Sequence, residues 1–319
     1  MDTTTIQQTP VSTSEMATTV SCYWNLPIME WVKIVILTLG FIGNGLAFLV
    51  IVLNKTLHSH SFAIIGAIAL SDCIYCLGGV LWGFLVYGFM DPMNYRNLLN
   101  CLGDFFNIHV KTVMSGTISA AYIASGFFIA TLSVFRYIIV CCNARTKKIL
   151  KKKSVVFIII SVAVSSIIFA VLKTIYSGRF NKVLDITISY LLPLVIMIVF
   201  LALKIIKMTK RRDLQLFNST SIRNMEFICL AIILTFFVLL LPWHVLALLY
   251  EFDVYQPEYI AVTTSAFLLQ LNNCINPVFY AFLSPRVRKV MASCLCRVNQ
   301  NTDTRKQLNC STPTECSNL

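Results

Sequence analysis

Seven apolar stretches alternate with short polar or basic segments, near residues 34–53, 61–88, 112–142, 154–174, 184–206, 225–250 and 259–283. Each allows roughly 20 residues or more, the length a helix needs to cross a hydrocarbon core of ~30 Å. Lipid offers backbone N–H and C=O groups no partner, so each crossing must close its own hydrogen bonds as a helix. The pattern predicts an all-α membrane protein, a seven-transmembrane helix bundle. No internal repeat divides the spans into matching halves. Residues 89–111 read as a long outer loop, and 175–183 as a short one. Beyond Tyr280, Val287, Val290, Met291, Cys294 and Leu295 recur at helical spacing among Arg286, Arg288, Lys289 and Arg297, which predicts a short amphipathic helix on the membrane surface. The expected organisation is a disordered extracellular tail (1–30), the seven-span domain (31–283), the amphipathic helix (284–297) and a disordered cytoplasmic tail (298–319).

Composition agrees with this reading: of 319 residues, 57% are hydrophobic and 13% charged, outside the balance of soluble domains. The formal net charge of +12 would suit a nucleic-acid partner, but its distribution decides otherwise. Twenty of the 26 basic residues fall after the odd-numbered spans. The positive-inside rule makes that side the cytoplasm and puts the N-terminus outside, in a multi-pass protein of the cell membrane. The basic runs then read as topology signals and as a surface for anionic lipid or a cytosolic partner, with no nucleic acid. Residues 1–27 lack the charged start and apolar stretch of a cleavable signal peptide, so the first helix is expected to act as signal anchor.

Topology also sorts the cysteines. Only Cys22 and Cys101 of the twelve reach the oxidising side. They form either a disulfide tying the tail to the outer loop or two free thiols. Cys294 and Cys296, on the amphipathic segment, are either palmitoylation sites or unmodified surface thiols.

Few polar residues interrupt the spans: Asn44, Asp72, Ser125, Asn272, Asn273 and Asn276. An ionisable group inside a membrane helix is costly enough to point to function. A carboxylate among neutral oxygens suits a small hard cation such as Na⁺; a protonated Asp72 in a structural hydrogen-bond network is the alternative. His244, beside Trp243, reads as an interhelical hydrogen bonder. No HExxH, GxSxG or phosphate-binding glycine loop occurs and the four histidines form no metal-spaced cluster, so an enzyme is not expected.

The set GN in the first span, LSD in the second, SVFRY at the end of the third, Pro193 in the fifth, LLPWH in the sixth and NPVFY in the seventh resembles the rhodopsin-like G-protein-coupled receptors across all seven spans. That resemblance implies a receptor acting through heterotrimeric G proteins. It places Asp72, Ser125, Asn272 and Asn276 on the family's sodium pocket, with Na⁺ as an allosteric ion. It places Arg136, flanked by Phe135 and Tyr137, at the G-protein contact, and Asn276, Pro277 and Tyr280 on the activation switch. FFVLLLPWHVLALL and SVFRYIIVCCNARTKK look most like the chemokine-receptor homologues of gammaherpesviruses, related to cellular interleukin-8 receptors, which implies a chemokine or peptide ligand.

Departures from that pattern carry information. The usual disulfide from the outer end of the third helix has no counterpart: Lys111 stands at the matching position, 25 residues before Arg136, and 175–183 holds no cysteine. An acidic, tyrosine-rich tail is absent, and Ala266 replaces the usual acid of the seventh helix. Ile118 stands where amine receptors carry aspartate and Gln270 where opsins carry lysine. Candidate ligand contacts are Trp82, His109, Lys111, Lys173, Arg179, Tyr250, Glu251 and Gln270. Most relatives restrain the arginine with a preceding Asp or Glu; here Phe135 stands there. Leu240 and Leu201 replace a common tryptophan and tyrosine. Losing a restraint of ~1–3 kcal/mol shifts a two-state population roughly 5- to 150-fold, so high ligand-independent signalling is expected. A non-signalling receptor that captures ligand, or forms a dimer with another receptor, is the alternative reading, and a membrane transporter the third.

Overall fold

A computed structural model describes residues 26–87, 92–142, 151–175, 179–210, 220–283 and 287. Cys22, Cys294, Cys296, both tails and all but residue 287 of the expected amphipathic helix lie outside the described residues. The side chains of Cys101, Lys111, Arg179 and Tyr280 also lie outside the description, although their backbones are helical.

Every regular element among the described residues is helical. Helix α1 (Leu26–Leu53) ends in a 3₁₀ turn (Lys55–Leu57), and α2 (His60–Tyr87) and α3 (Pro92–Cys141) follow. Then come α4 (Lys152–Ile175), α5 (Arg179–Ile186), a π-helical segment (Thr187–Leu191), α6 (Leu192–Lys210), α7 (Thr220–Glu251) and α8 (Tyr259–Leu283). The residues flanking the π segment, Ile186 and Leu192, keep right-handed helical dihedrals. From α5 to α6 the backbone is therefore one rod, and Asn181–Met208 is a single candidate crossing.

Among the described residues, six helices are long and apolar enough to cross a membrane: Met29–Leu53, His60–Gly83, Thr112–Cys141, Lys152–Ile175, Asn181–Met208 and Glu226–Glu251. They carry many exposed apolar side chains, Phe157 at 71% among them, which suits a lipid-facing exterior. The protein is thus a helical chain compatible with a multi-pass membrane protein. Helix α8 is long enough, at 25 residues, but is not among the six. Thr263, Ser265, Gln270, Asn272, Asn273 and Asn276 dilute its apolar character.

The expected outer loop at 89–111 is corrected. From Pro92 onward the chain is helical and continuous with the third apolar stretch, giving a 50-residue helix. At ~1.5 Å per residue, Pro92–Lys111 adds about 30 Å beyond the crossing. The physical reason is visible afterwards: Leu98, Leu99, Leu102, Phe105, Phe106 and Val110 fall three or four residues apart, a helical apolar stripe.

Helix α3 occupies the middle, packing on α2, α4, α6 and α7, while α8 lies against both α7 and α1 and so brings the last helix back to the first. The main apolar core runs through Ile64, Ile68, Ile129, Leu132, Met197, Ile232 and Phe236. Close approach of α1 to α8 depends on small residues. A Cβ at Gly40 would come within 2.6 Å of Cys274 Sγ and 2.9 Å of Cys76 Sγ.

Candidate functional site

Two clusters of buried polar side chains and two cavities hold most of the residues singled out from sequence. The first cluster centres on Asp72, which is 0% exposed on α2. Asn276 Nδ2, on α8, donates a 2.6 Å hydrogen bond to Asp72 Oδ2. Ser125, on α3, stands beside the carboxylate, yet Ser125 Oγ and Asp72 Oδ1 are buried without a hydrogen-bond partner. Asn44 ties α1 to the same region, its Nδ2 donating to Asn273 O at 2.8 Å and Gly40 O at 3.0 Å. Asn272 is buried on the same helix as Asn276. Three helices thus bring Asp72, Ser125 and Asn276 together. The two orphaned oxygens form a donor set that fits a small hard cation.

At the other end of α3, Arg136 is 6% exposed, and its Nε and Nη2 have no hydrogen-bond partner. Phe135, 3% exposed, belongs to the apolar core. Tyr137 packs edge-on against Phe200 of α6, ring centroids 5.5 Å apart, with Lys207 Nζ 5.7 Å over its ring.

The surroundings of Arg136 include residues that the sequence reading passed over. Cys229 of α7 lies beside Arg136. One turn away on the same face, Glu226 pairs with Lys204 of α6, both side chains largely buried. Glu226 Oε1 is buried and unpaired. The signal was a base at the end of the fifth apolar stretch and an acid at the start of the sixth.

A ring network meets α3 at Tyr122, one turn from Ser125 on the side away from Arg136. Tyr122 OH and His244 Nε2 lie 2.9 Å apart in a hydrogen bond. Tyr190, in the π segment, stacks on His244 at 4.5 Å and on Phe236 at 5.9 Å. The expectation that His244 bonds between helices holds, and its partner is an aromatic hydroxyl. π segments often occur at functional positions; this one places Tyr190 against the sixth apolar stretch.

The ligand-contact candidates separate. Trp82 and Gln270 line one cavity of about 540 Å³ with Tyr75, Ser115, Ile118 and Trp243. Gln270 Oε1 is buried there without a partner. Tyr250 and Glu251 line a second, of about 380 Å³, which Trp243 also borders. Lys182 Nζ bonds Glu251 Oε2 at 2.6 Å and lies 5.9 Å over the Tyr250 ring. Lys173 is in neither cavity and pairs with Asp185 at 2.7 Å. His109 is exposed on α3 and lines neither cavity. Pro277 packs against Gly43 of α1, where a Cβ would sit 3.2 Å from the ring. No family model matches the chain, and no curated protein matches it in sequence.

Proposed function

We propose that this chain is a seven-span receptor of the rhodopsin-like type that activates heterotrimeric G proteins without requiring a ligand. The observation that carries the reading is Arg136. It is a buried arginine at the end of the central helix, with two guanidinium nitrogens unpaired and a core phenylalanine in place of the preceding acid. A buried cation lacking its full set of acceptors is held at a cost. In such a receptor, the backbone carbonyls and polar groups of an inserted G-protein helix would meet those N–H groups, so that docking relieves the cost.

Several observations support the remaining parts. Counting α8 as the seventh crossing is supported by its packing on both α7 and α1 and by the Asn276–Asp72 bond. With seven crossings and the basic segments inside, the N-terminus is outside the cell membrane. Asp72 and Ser125 would hold Na⁺; when bound, the ion supplies a positive charge to the buried carboxylate. The narrower likeness to viral chemokine-receptor homologues rests on sequence stretches alone. Neither cavity offers a basic chemokine an unpaired acid among the described residues, because Glu251 is engaged by Lys182. This favours the ligand-independent part of the reading.

The test is basal guanine-nucleotide exchange in membranes of cells expressing the protein, across G-protein classes. Exchange above empty membranes that falls to background with Arg136→Ala is expected. Exchange equal to empty membranes would leave the non-signalling reading, a ligand-capturing or dimerising receptor.

A further inference from the structure

A groove outside both clusters lies between α1, α2 and α4. Its volume is about 450 Å³, within the range of ligand pockets. Ile51, Leu57 and Val155 make a buried floor, while Val52, Leu70 and Val156 stand exposed along its open sides. The 3₁₀ turn closes one end, held by a 2.9 Å hydrogen bond between His58 Nε2 and Val52 O. At that same end Lys152 joins the lining beside His58, Ser59 and His60. Lys151 and Lys153 flank it, all three lysines exposed and none in a described ion pair. No Asp or Glu lines the groove.

An apolar trough that opens sideways between helices able to cross a membrane, capped at one end by concentrated positive charge, matches an amphiphile with an anionic head. A soluble anion would leave the trough empty, and a choline headgroup would set its ammonium against the lysines. We infer that this groove binds one anionic phospholipid, an acyl chain on the Leu57–Val155 floor and the headgroup phosphate on Lys152, with Lys151 and Lys153 adding positive charge beside it. Basic pockets between membrane helices recognise such headgroups by the same physics. The site rests on the membrane reading alone and stands whether or not the chain signals.

The full-length protein is reconstituted in nanodiscs of dioleoyl-phosphatidylcholine with a minor fraction of dioleoyl-phosphatidylglycerol. It is then released into detergent, and the retained lipid is measured by native mass spectrometry. The wild type is expected to keep one phosphatidylglycerol in preference to phosphatidylcholine. Each Lys→Gln replacement at 151, 152 or 153 should weaken retention about five-fold. Ala63→Trp, which fills the groove from an exposed position without touching the lysines, should remove it as well. Equal retention of the two lipids overturns the proposal. So does loss in the lysine variants with full retention in Ala63→Trp, which would mean charge attraction at the surface without a groove. Loss in Ala63→Trp alone overturns the headgroup assignment.

Discussion

Asn276 Nδ2 donates to Asp72 Oδ2 at 2.6 Å, joining helices α8 and α2 through two side chains that are almost fully buried. Because the acceptor is a carboxylate away from water, removing its donor costs more than the bond's net worth. Asn276→Ala is expected to lower stability by about 1–3 kcal/mol, whereas Asp72→Asn, which buries no charge, costs less. Thermal unfolding of the purified protein in neutral detergent checks the order. An unchanged transition in Asn276→Ala would remove the bond from the list of stabilising ties.

The orphaned Asp72 Oδ1 and Ser125 Oγ make a sodium prediction. If Na⁺ binds there, raising it to 100 times its dissociation constant stabilises the protein by about 2.7 kcal/mol. Potassium at equal ionic strength should do much less, and Asp72→Asn should abolish the difference. A sodium-specific shift that survives in Asp72→Asn places the ion elsewhere.

The most direct way to restore a missing restraint on Arg136 would be Phe135→Asp, but Phe135 sits in the apolar core. That substitution would bury a carboxylate among hydrocarbons and report on folding. Cys229 of α7 belongs to the same buried core but lies beside Arg136, whose guanidinium can pair with an introduced carboxylate, and it is the better position. Cys229→Asp supplies an acceptor across the α3–α7 contact and is expected to reduce basal nucleotide exchange roughly 5- to 150-fold, the equivalent of ~1–3 kcal/mol. Unchanged exchange with normal surface expression would argue that Arg136 is not restrained through this contact.

Lys204 and Glu226 form a largely buried ion pair between α6 and α7. Breaking such a pair from one side typically costs about 3–5 kcal/mol, while an apolar replacement of both partners is close to neutral. Glu226→Ala should therefore lower the unfolding transition strongly, and Lys204→Met with Glu226→Met should recover most of it. Equal losses in the single and double variants would show that the pair acts through its separate packing, not as a pair.

Apolar stretch lengths alone determined that the chain is helical and suited to a membrane, because backbone hydrogen bonding in lipid leaves no other solution at that length. The positions of Asp72, Asn276 and Arg136 as exceptional groups were equally legible, since a polar or charged group in such a segment needs a reason. Sequence patterning could also have revealed the first half of α3, whose Leu98–Val110 stripe recurs at helical spacing.

Only the tertiary structure decided which exceptional groups meet. Asn276 bonds Asp72 because α8 returns to α1 and α2, a pairing set by helix packing over 204 positions. The same packing turns Phe135 inward and puts Cys229, Glu226 and Lys204 near Arg136, partners that no local spacing could name. It also divides Trp82 and Gln270 from Tyr250 and Glu251. Sequence sets what each segment must bury; the packing of helices far apart in the chain sets which polar groups are left to find one another.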